Sequence, residues 1–437
     1  MSKLKKWLVS AIALAMVVTA GCSSSSNNSA SNASSGTSNA GSGGSASGAP
    51  VELTLWSSEM RSRDIIEKSI EEFNSSHEDI KIKAEFFEDE ALKLKMKVAI
   101  SGNEIPDLIT YWSGETFDQL VANNMLADLT DMLNETPELK DNVLPGGLET
   151  FEYDGKYYGI PVLFSGVSLW YNKKIFAENG LTPPSTFDEL LAVVDQLNEK
   201  KITPIAVAGK DRWPVLHWFS YLAQRIGGTE PFEKAKNNEA DFTQESFVQA
   251  GELLKSLAVG HKGFVNGFLG LDYAAAESLF MNEQAAMYLQ GEWAMEAFLE
   301  DPEFAANVGF VAFPAVEGGV GTTDIFHGGF GVGMAVSAAT NKEAAFEALK
   351  FLVSPEQRVE IYEGPNISPM IKTGINESNM HPLAYEYSSF VSSNLGGYFG
   401  YYDQSLDAAR SDKLMNAVGA IVGDANSNVV EELGKVK

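Results

Sequence analysis

Residues able to do chemistry are few in this chain, and they are aromatic more often than nucleophilic. Its 437 residues include one cysteine, Cys22, and five histidines (His77, His217, His261, His327, His381) scattered without an HExxH or similar pair. A lone cysteine makes no internal disulfide and no Cys-rich zinc site. There is no GxSxG, no GxxxxGK[ST] and no strand-borne GxGxxG opening a helix. The run Gly329-Phe330-Gly331-Val332-Gly333 is glycine-rich but leads into a strand. With 59 Asp and Glu, a glycosidase-like carboxylate pair arises by chance, so it carries no signal. No 12-residue EF-hand loop appears. The expectation is therefore no catalytic residue, no metal and no cofactor.

Tryptophans carry more information. Beyond Trp7 the chain has Trp56, Trp112, Trp170, Trp213, Trp218 and Trp293. Three adjoin polar turns, in Trp56-Ser57-Ser58-Glu59, Tyr111-Trp112-Ser113-Gly114-Glu115 and Gln290-Gly291-Glu292-Trp293. A sugar ring offers C–H faces that stack on an aromatic plane, while its hydroxyls need carboxylates or amides. An aromatic with a carboxylate within three residues supplies both. Any one tryptophan is more often core than site, and Trp170, between Leu169 and Tyr171 in an apolar run, reads as core.

The elements that must position these residues alternate. Residues 51–56 and 80–86 have strand periodicity, 62–75 has helical spacing with Ile65, Ile66, Ile70 and Phe73, and a helix over 90–101 precedes a strand at 107–111. This β-α-β-α-β order predicts a parallel sheet with binding loops at strand C-termini, where Trp56 and Trp112 fall. After 157–162 the pattern restarts with strands at 167–171 and 205–208, and Thr186 with Glu189 is spaced as a capping box. Residues 211–260 read as mainly helical, 280–289 as helix end then strand, and 310–313 and 330–336 as strands. Helices follow from Asn341, from Ser354-Pro355 and from about Asp407. A chain of this length predicts two or three domains. Acidic residues outnumber basic ones 59 to 32, for a net charge of −27, which repels phosphate backbones and excludes nucleic acid as a partner.

Residues 1–21 have three lysines and then an apolar run from Trp7 to Ala20, too short to span a bilayer and typical of a signal peptide. Ala20-Gly21-Cys22 resembles the lipobox of bacterial lipoproteins, with Thr19 where a leucine is usual. The resemblance implies cleavage before Cys22 and its diacylation, anchoring the chain to a membrane by lipid alone. Residues 22–50, rich in Ser, Gly, Ala and Asn and without charge, read as a tether with a reach of roughly 30 Å.

The order of motifs resembles the family 1 extracellular solute-binding proteins, the carbohydrate-capturing lipoproteins of ABC importers. The matching stretches include LTLW (53–56), IPDLITYW (105–112), YYGIPV (157–162), LWYNKKIFAENGLTPPSTFDELL (169–191), EQAAMYLQGEW (283–293) and GGFGVGMAVS (328–337). The resemblance implies an α/β fold of two lobes with hinge crossovers, lobe one from 51–160 with 314–364 and lobe two from 163–312 with 366–437. Pro161, Pro314 and Pro365 sit near the crossovers so inferred.

Carried over by position, the ligand-binding residues are Trp56, Glu59, Trp112, Glu115, Trp213, Trp218, Trp293, Gly328, Gly329 and Phe330. Ser165 stands where some relatives have a carboxylate, which argues against maltodextrin-type specificity. Tyr398, Tyr401 and Tyr402 are a final wall of the cleft or equally part of the surface or core. The implied function is capture of a sugar or oligosaccharide and its delivery to an ABC importer permease, by a monomer on the outer face of the cytoplasmic membrane and without catalysis. The alternatives are a surface-anchored glycoside hydrolase or lyase, and a receptor for a non-sugar solute such as a peptide or polyol.

Overall fold

The computed structural model describes residues 49–144, 146–364, 366–368 and 377–437. The leader, Cys22, the tether to residue 48 and Pro365 lie outside the described residues. Among those described, eleven strands form: β1 (Val51–Ser57), β2 (Ile80–Phe86), β3 (Leu108–Trp112), the hairpin β4 (Glu152–Tyr153) and β5 (Lys156–Tyr157), β6 (Ile160–Asn172), β7 (Thr203–Ala206), β8 (Ala285–Gly291), β9 (Val308–Val311), β10 (Ile325–Val336) and β11 (Gly397–Phe399). All but the hairpin join one mixed sheet with the path β2-β1-β3-β10-β6-β8-β7.

The opening of the chain folds as its periodicity predicts. In β1, Leu53 and Leu55 are buried on one face, and β1 runs parallel to both β2 and β3. The helices Arg63–Ser76 and Asp89–Gly102 make the crossovers. The first packs its Ile66, Ile70 and Phe73 with Leu53 and Leu55, whereas the second brings Leu92 and Met96 to a separate cluster with Phe117. A sheet covered on both faces needs apolar residues at successive positions. β6 shows this directly: Leu169 packs in one cluster and its neighbour Trp170 in another. Period-two alternation sends the two to opposite faces.

β6 and β10 are antiparallel and shared by both halves of the sheet. β10 pairs with β3 through Val332–Val336, while β6 pairs with β8 through Val167–Tyr171. Their mutual register shifts between Gly329 and Val332 and again at Gly333. The strand predicted at 167–171 thus begins earlier, at Ile160, because the backbone stays extended through Ser165-Gly166. Phe313, Val316 and Ile325 pack with the second half, whereas Val332, Met334 and Val336 pack with the first. The packing thus passes from the second half of the sheet to the first at about Gly331.

The predicted capping box is present. Glu189 N–H donates to Thr186 Oγ1 and Thr186 N–H to the Glu189 carboxylate, both at 3.2 Å. This starts the helix Phe187–Glu199, whose Leu190, Val194 and Leu197 face the core. The segment 211–260 divides into the helices Trp213–Gly227, Glu230–Lys236 and Glu245–Lys255.

Candidate functional site

Trp56 ends β1 beside Trp112 at the end of β3, and both rings are half-buried. The helix Asp89–Gly102 lies next to them. It sets Lys95 Nζ 4.1 Å from the Trp56 ring centroid and Lys93 Nζ 5.4 Å from that of Trp112, a cation–π geometry. In the second half, Trp213 opens the helix Trp213–Gly227 and Trp293 follows β8. Their rings meet edge-on at 6.2 Å, Trp213 stacks on Tyr273 at 5.6 Å, and Trp293 meets Tyr401 at 6.2 Å. Gly291 makes room for this. A Cβ there would lie 2.1 Å from the Trp293 ring, so only glycine lets the indole fold back over the strand end.

Between the halves is a cavity of about 100 Å³. Ser113 and Gly114 reach it from the end of β3, Phe330 from β10, and Tyr398, Tyr401 and Gln404 from the C-terminal segment. The halves also touch directly. A Cβ on Gly114, at φ +109°, would lie 2.5 Å from the Gln404 carbonyl oxygen. The Tyr398 hydroxyl is 3.0 Å from Thr150 Oγ1 and donates to the Gly146 carbonyl at 3.1 Å.

Several residues singled out from the sequence lie elsewhere than expected. Trp218 is fully buried against Phe264 and Phe313, because its place on the helix Trp213–Gly227 turns it into the core. It does not face the cavity. Glu59 is also buried, and its carboxylate takes both terminal nitrogens of Arg358, at 2.5 and 3.2 Å. Its acceptor capacity goes to that ion pair, not to a ligand at the cleft. Glu115 starts the helix Glu115–Ala122 and accepts from Gln119 Nε2 at 2.9 Å.

Gly328 and Gly329 have φ of +137° and +114°, and a Cβ would lie 2.2 Å from the Ser165 carbonyl and from the Tyr398 ring, respectively. The close approach at both is therefore to protein. Phe330 is buried edge-on to Phe164 and Tyr398, at 5.1 and 5.6 Å, with part of it on the cavity. Of the three tyrosines, Tyr398 and Tyr401 line the cavity, whereas Tyr402 stacks on Phe232 in the core.

The structure adds residues that the sequence reading passed over. Arg61 extends from the loop after β1 to the second half, where it donates to the Trp293 carbonyl and pairs with Glu296 at 3.2 Å. His217, one helical turn beyond Trp213, contacts the rings of Trp213, Trp293 and Tyr401. Glu292 is buried, and it accepts from the Gly166 N–H at 2.9 Å. Its sequence signal was present in Gln290-Gly291-Glu292-Trp293, where it sits beside a turn tryptophan. Arg61 and His217 had no such signal.

Burial dominates the electrostatics. It pushes the Glu292 carboxyl up to about 7, against the Gly166 N–H and Ser165, which favour the charge. It pushes His217 down to about 3 and His327 well below its ordinary value, with neighbouring His217 adding to the latter. Both imidazoles are neutral at pH 7. Burial works against the Arg61 charge, but Tyr273 and Glu296 outweigh it and hold the guanidinium above its usual value. The Tyr401 hydroxyl and His217 Nε2 are buried without a hydrogen-bond partner among the described residues. Also among the described residues, no cluster of His, Cys, Asp and Glu has a metal-binding arrangement, and no helix is long and apolar enough to cross a membrane.

Comparison with known proteins agrees with this architecture. The chain is 27% identical over 332 residues to the multiple sugar-binding protein of Streptococcus mutans, covering 73% of this chain and 74% of that one. It is 23% identical over 392 residues to the melibiose/raffinose/stachyose-binding protein of Bacillus subtilis, covering 88% and 85%. An uncharacterized ABC transporter extracellular-binding protein of Pyrococcus horikoshii is 25% identical, and the chain spans 61% of its length.

Among solved structures, one from work on xylan utilization by Caldanaerobius polysaccharolyticus superposes with a TM-score of 0.82 at 27% identity, covering 88% of this chain and 99% of that one. A chitin oligosaccharide binding protein superposes with a TM-score of 0.81 at 25% identity, covering 89% and 98%. The curated relatives and the chitin oligosaccharide protein are named as binding proteins, and the α/β fold is shared. The model of the bacterial extracellular solute-binding proteins matches residues 57–359, and the chain belongs to that family.

Proposed function

We propose that this chain is the sugar receptor of an ABC importer, holding a sugar or short oligosaccharide between the two halves of its sheet and presenting it to the permease. The observation that carries this reading is the cavity between the halves. Its lining includes Phe330, Tyr398 and Tyr401 but no tryptophan; Trp112 precedes its Ser113, Trp293 contacts its Tyr401, and the buried Tyr401 hydroxyl and the adjoining His217 Nε2 lack a partner. Buried polar atoms are normally satisfied, and a ligand hydroxyl would satisfy these. Relatives named for multiple sugars and for melibiose, raffinose and stachyose support the substrate class. Trp112, Trp213 and Trp293 supply stacking faces, and Trp56 extends the first-half wall. The halves are 51–160 with about 332–364 and 163–330 with 366–437. The receptor is a monomer without catalytic activity, held by lipid on Cys22 to the outer face of the cytoplasmic membrane.

Calorimetric titration with xylotriose, diacetylchitobiose, maltotriose and raffinose tests this. At least one sugar should bind, unchanged by incubation with the protein. Trp112→Ala and Trp293→Ala should each weaken it at least about 10-fold, as expected from the loss of an aromatic stacking face. Binding by none of the four, or unchanged affinity in both variants with intact folding, overturns the reading. Hydrolysis of the sugar over hours would make the protein an enzyme instead.

A further inference from the structure

We infer that Arg61 is a positioning residue that latches the two halves together and fixes the loop carrying Trp293. It lies five residues past Trp56, in the first-half loop between β1 and the helix Arg63–Ser76, yet its hydrogen-bond and ion-pair partners are in the second half. The guanidinium donates through Nη1 to the Trp293 main-chain carbonyl, its Nε pairs with Glu296 at 3.2 Å, and its carbon lies 5.8 Å from the Tyr273 ring centroid. Tyr273 in turn stacks on Trp213. One side chain from the first half thus touches the main chain under one second-half tryptophan and the ring that supports another.

The loop bearing Arg61 is itself held. Glu59, two residues earlier, is locked into the buried pair with Arg358, and its own N–H donates to Ser57 Oγ at 3.1 Å. Arg358 is fixed further by donation from its Nε to the Leu352 carbonyl at 3.0 Å. The carboxylate that the sequence assigned to ligand instead anchors the base of the latch. Two features make the contact specific. The Trp293 carbonyl is a main-chain group, so its position reports the backbone of the loop and not a mobile side chain. The planar guanidinium meets a carbonyl through one nitrogen and a carboxylate through another, which an ammonium group cannot reproduce in the same geometry.

The role rests on the proposed capture of ligand between the halves, but the contact needs no ligand and can be tested without one. The experiment uses the full chain with Cys22→Ser, carrying spin labels at Lys97→Cys in the first half and Glu252→Cys in the second, both exposed positions. Inter-label distances are measured by pulsed electron resonance. In the unliganded parent the distribution should contain a short component, which Arg61→Ala depletes and Arg61→Lys restores only in part. Glu296→Gln should have a smaller effect, since the carbonyl contact survives.

Stopped-flow mixing with whichever of the four sugars binds should show the dissociation rate rising about 10-fold in Arg61→Ala, with the association rate within twofold. An unchanged distance distribution in Arg61→Ala overturns the inference, as does a dissociation rate unchanged by that substitution. If Arg61→Ala fails to fold, Glu296→Gln and Arg61→Lys decide, and the parent's distribution in both overturns it. Failure of all four sugars to bind would overturn the proposed function while leaving the distance result to judge the latch.

Discussion

Glu59 and Glu292 have similar neighbourhoods in the sequence and different partners in the fold. Both lie close to a turn tryptophan, and both are buried, but Glu59 has a full charge partner in Arg358 while Glu292 has one backbone N–H and a hydroxyl. Removing one member of a buried pair leaves the other uncompensated. Glu59→Ala is therefore expected to destabilise the fold by about 3–5 kcal/mol, read by urea unfolding, even when affinity is measured at full folding and found near parental.

For Glu292 the outcome depends on pH. Its folded-state carboxyl titrates at about 7 and its unfolded-state one at the ordinary 4.5, so its contribution is complete below pH 4.5 and lost as pH rises through 7. The span corresponds to about 3 kcal/mol. His217 acts in the opposite sense: lowered to about 3 from 6.5, it contributes above pH 6.5 and loses that contribution as pH falls. Glu292→Gln, whose amide oxygen can still accept from Gly166, should gain stability relative to the parent between pH 5 and pH 8. Unfolding free energies at pH 5, 6, 7 and 8 check this, and a constant difference between the two proteins would contradict it.

At the scale of elements, the strand ends decide what the aromatics do. Gly114 sits where the end of β3 meets the C-terminal segment, with a positive φ and its α-carbon against the Gln404 carbonyl. Gly114→Ala should weaken sugar binding about 10-fold or more, by holding the halves apart, and its strained φ should also lower thermal stability, by about 1–3 kcal/mol. The β-α-β-α-β opening was legible because Leu53, Leu55, Ile80 and Ile82 alternate in a sheet whose helices arrive in sequence. The capping box of Thr186 and Glu189 was legible because a helix start is a local matter. β6 was read too short, from 167 only, because Ser165 and Gly166 look like an interruption, whereas both pair with Gly329 and Gly328 of β10, far along the chain, and Glu292 accepts from the Gly166 N–H. Trp218 was misplaced for a similar reason. Its neighbours in sequence, His217 and Phe219, do not say which side of the helix faces Phe264 and Phe313. The Arg61 contact joins residues 61, 293 and 296, and no periodicity connects such positions.

For the whole molecule, the acidic charge bears on the proposed attachment to a membrane. With a net charge of −27 and an excess of acidic residues, the chain is repelled by anionic lipid, so the membrane attachment proposed above would have to rest on lipid at Cys22. Cys22→Ser in the producing cell should move the protein from the detergent phase to the aqueous phase in a Triton X-114 partition. Continued partition into detergent would disprove anchoring at that residue.

The two long strands common to both halves have a mechanical meaning. β6 and β10 lie side by side, bonded to each other along much of their length, and the irregularity in their register falls between Gly329 and Gly333. Two rods coupled in this way resist sliding and twisting, but they bend together at their weak point. Such a joint has one soft coordinate. Whatever fills the cleft can alter how far the rods bend, but not the path that they follow. A partner that grips the outer surfaces therefore reads a single length, and chemically different cargoes are translated into the same signal.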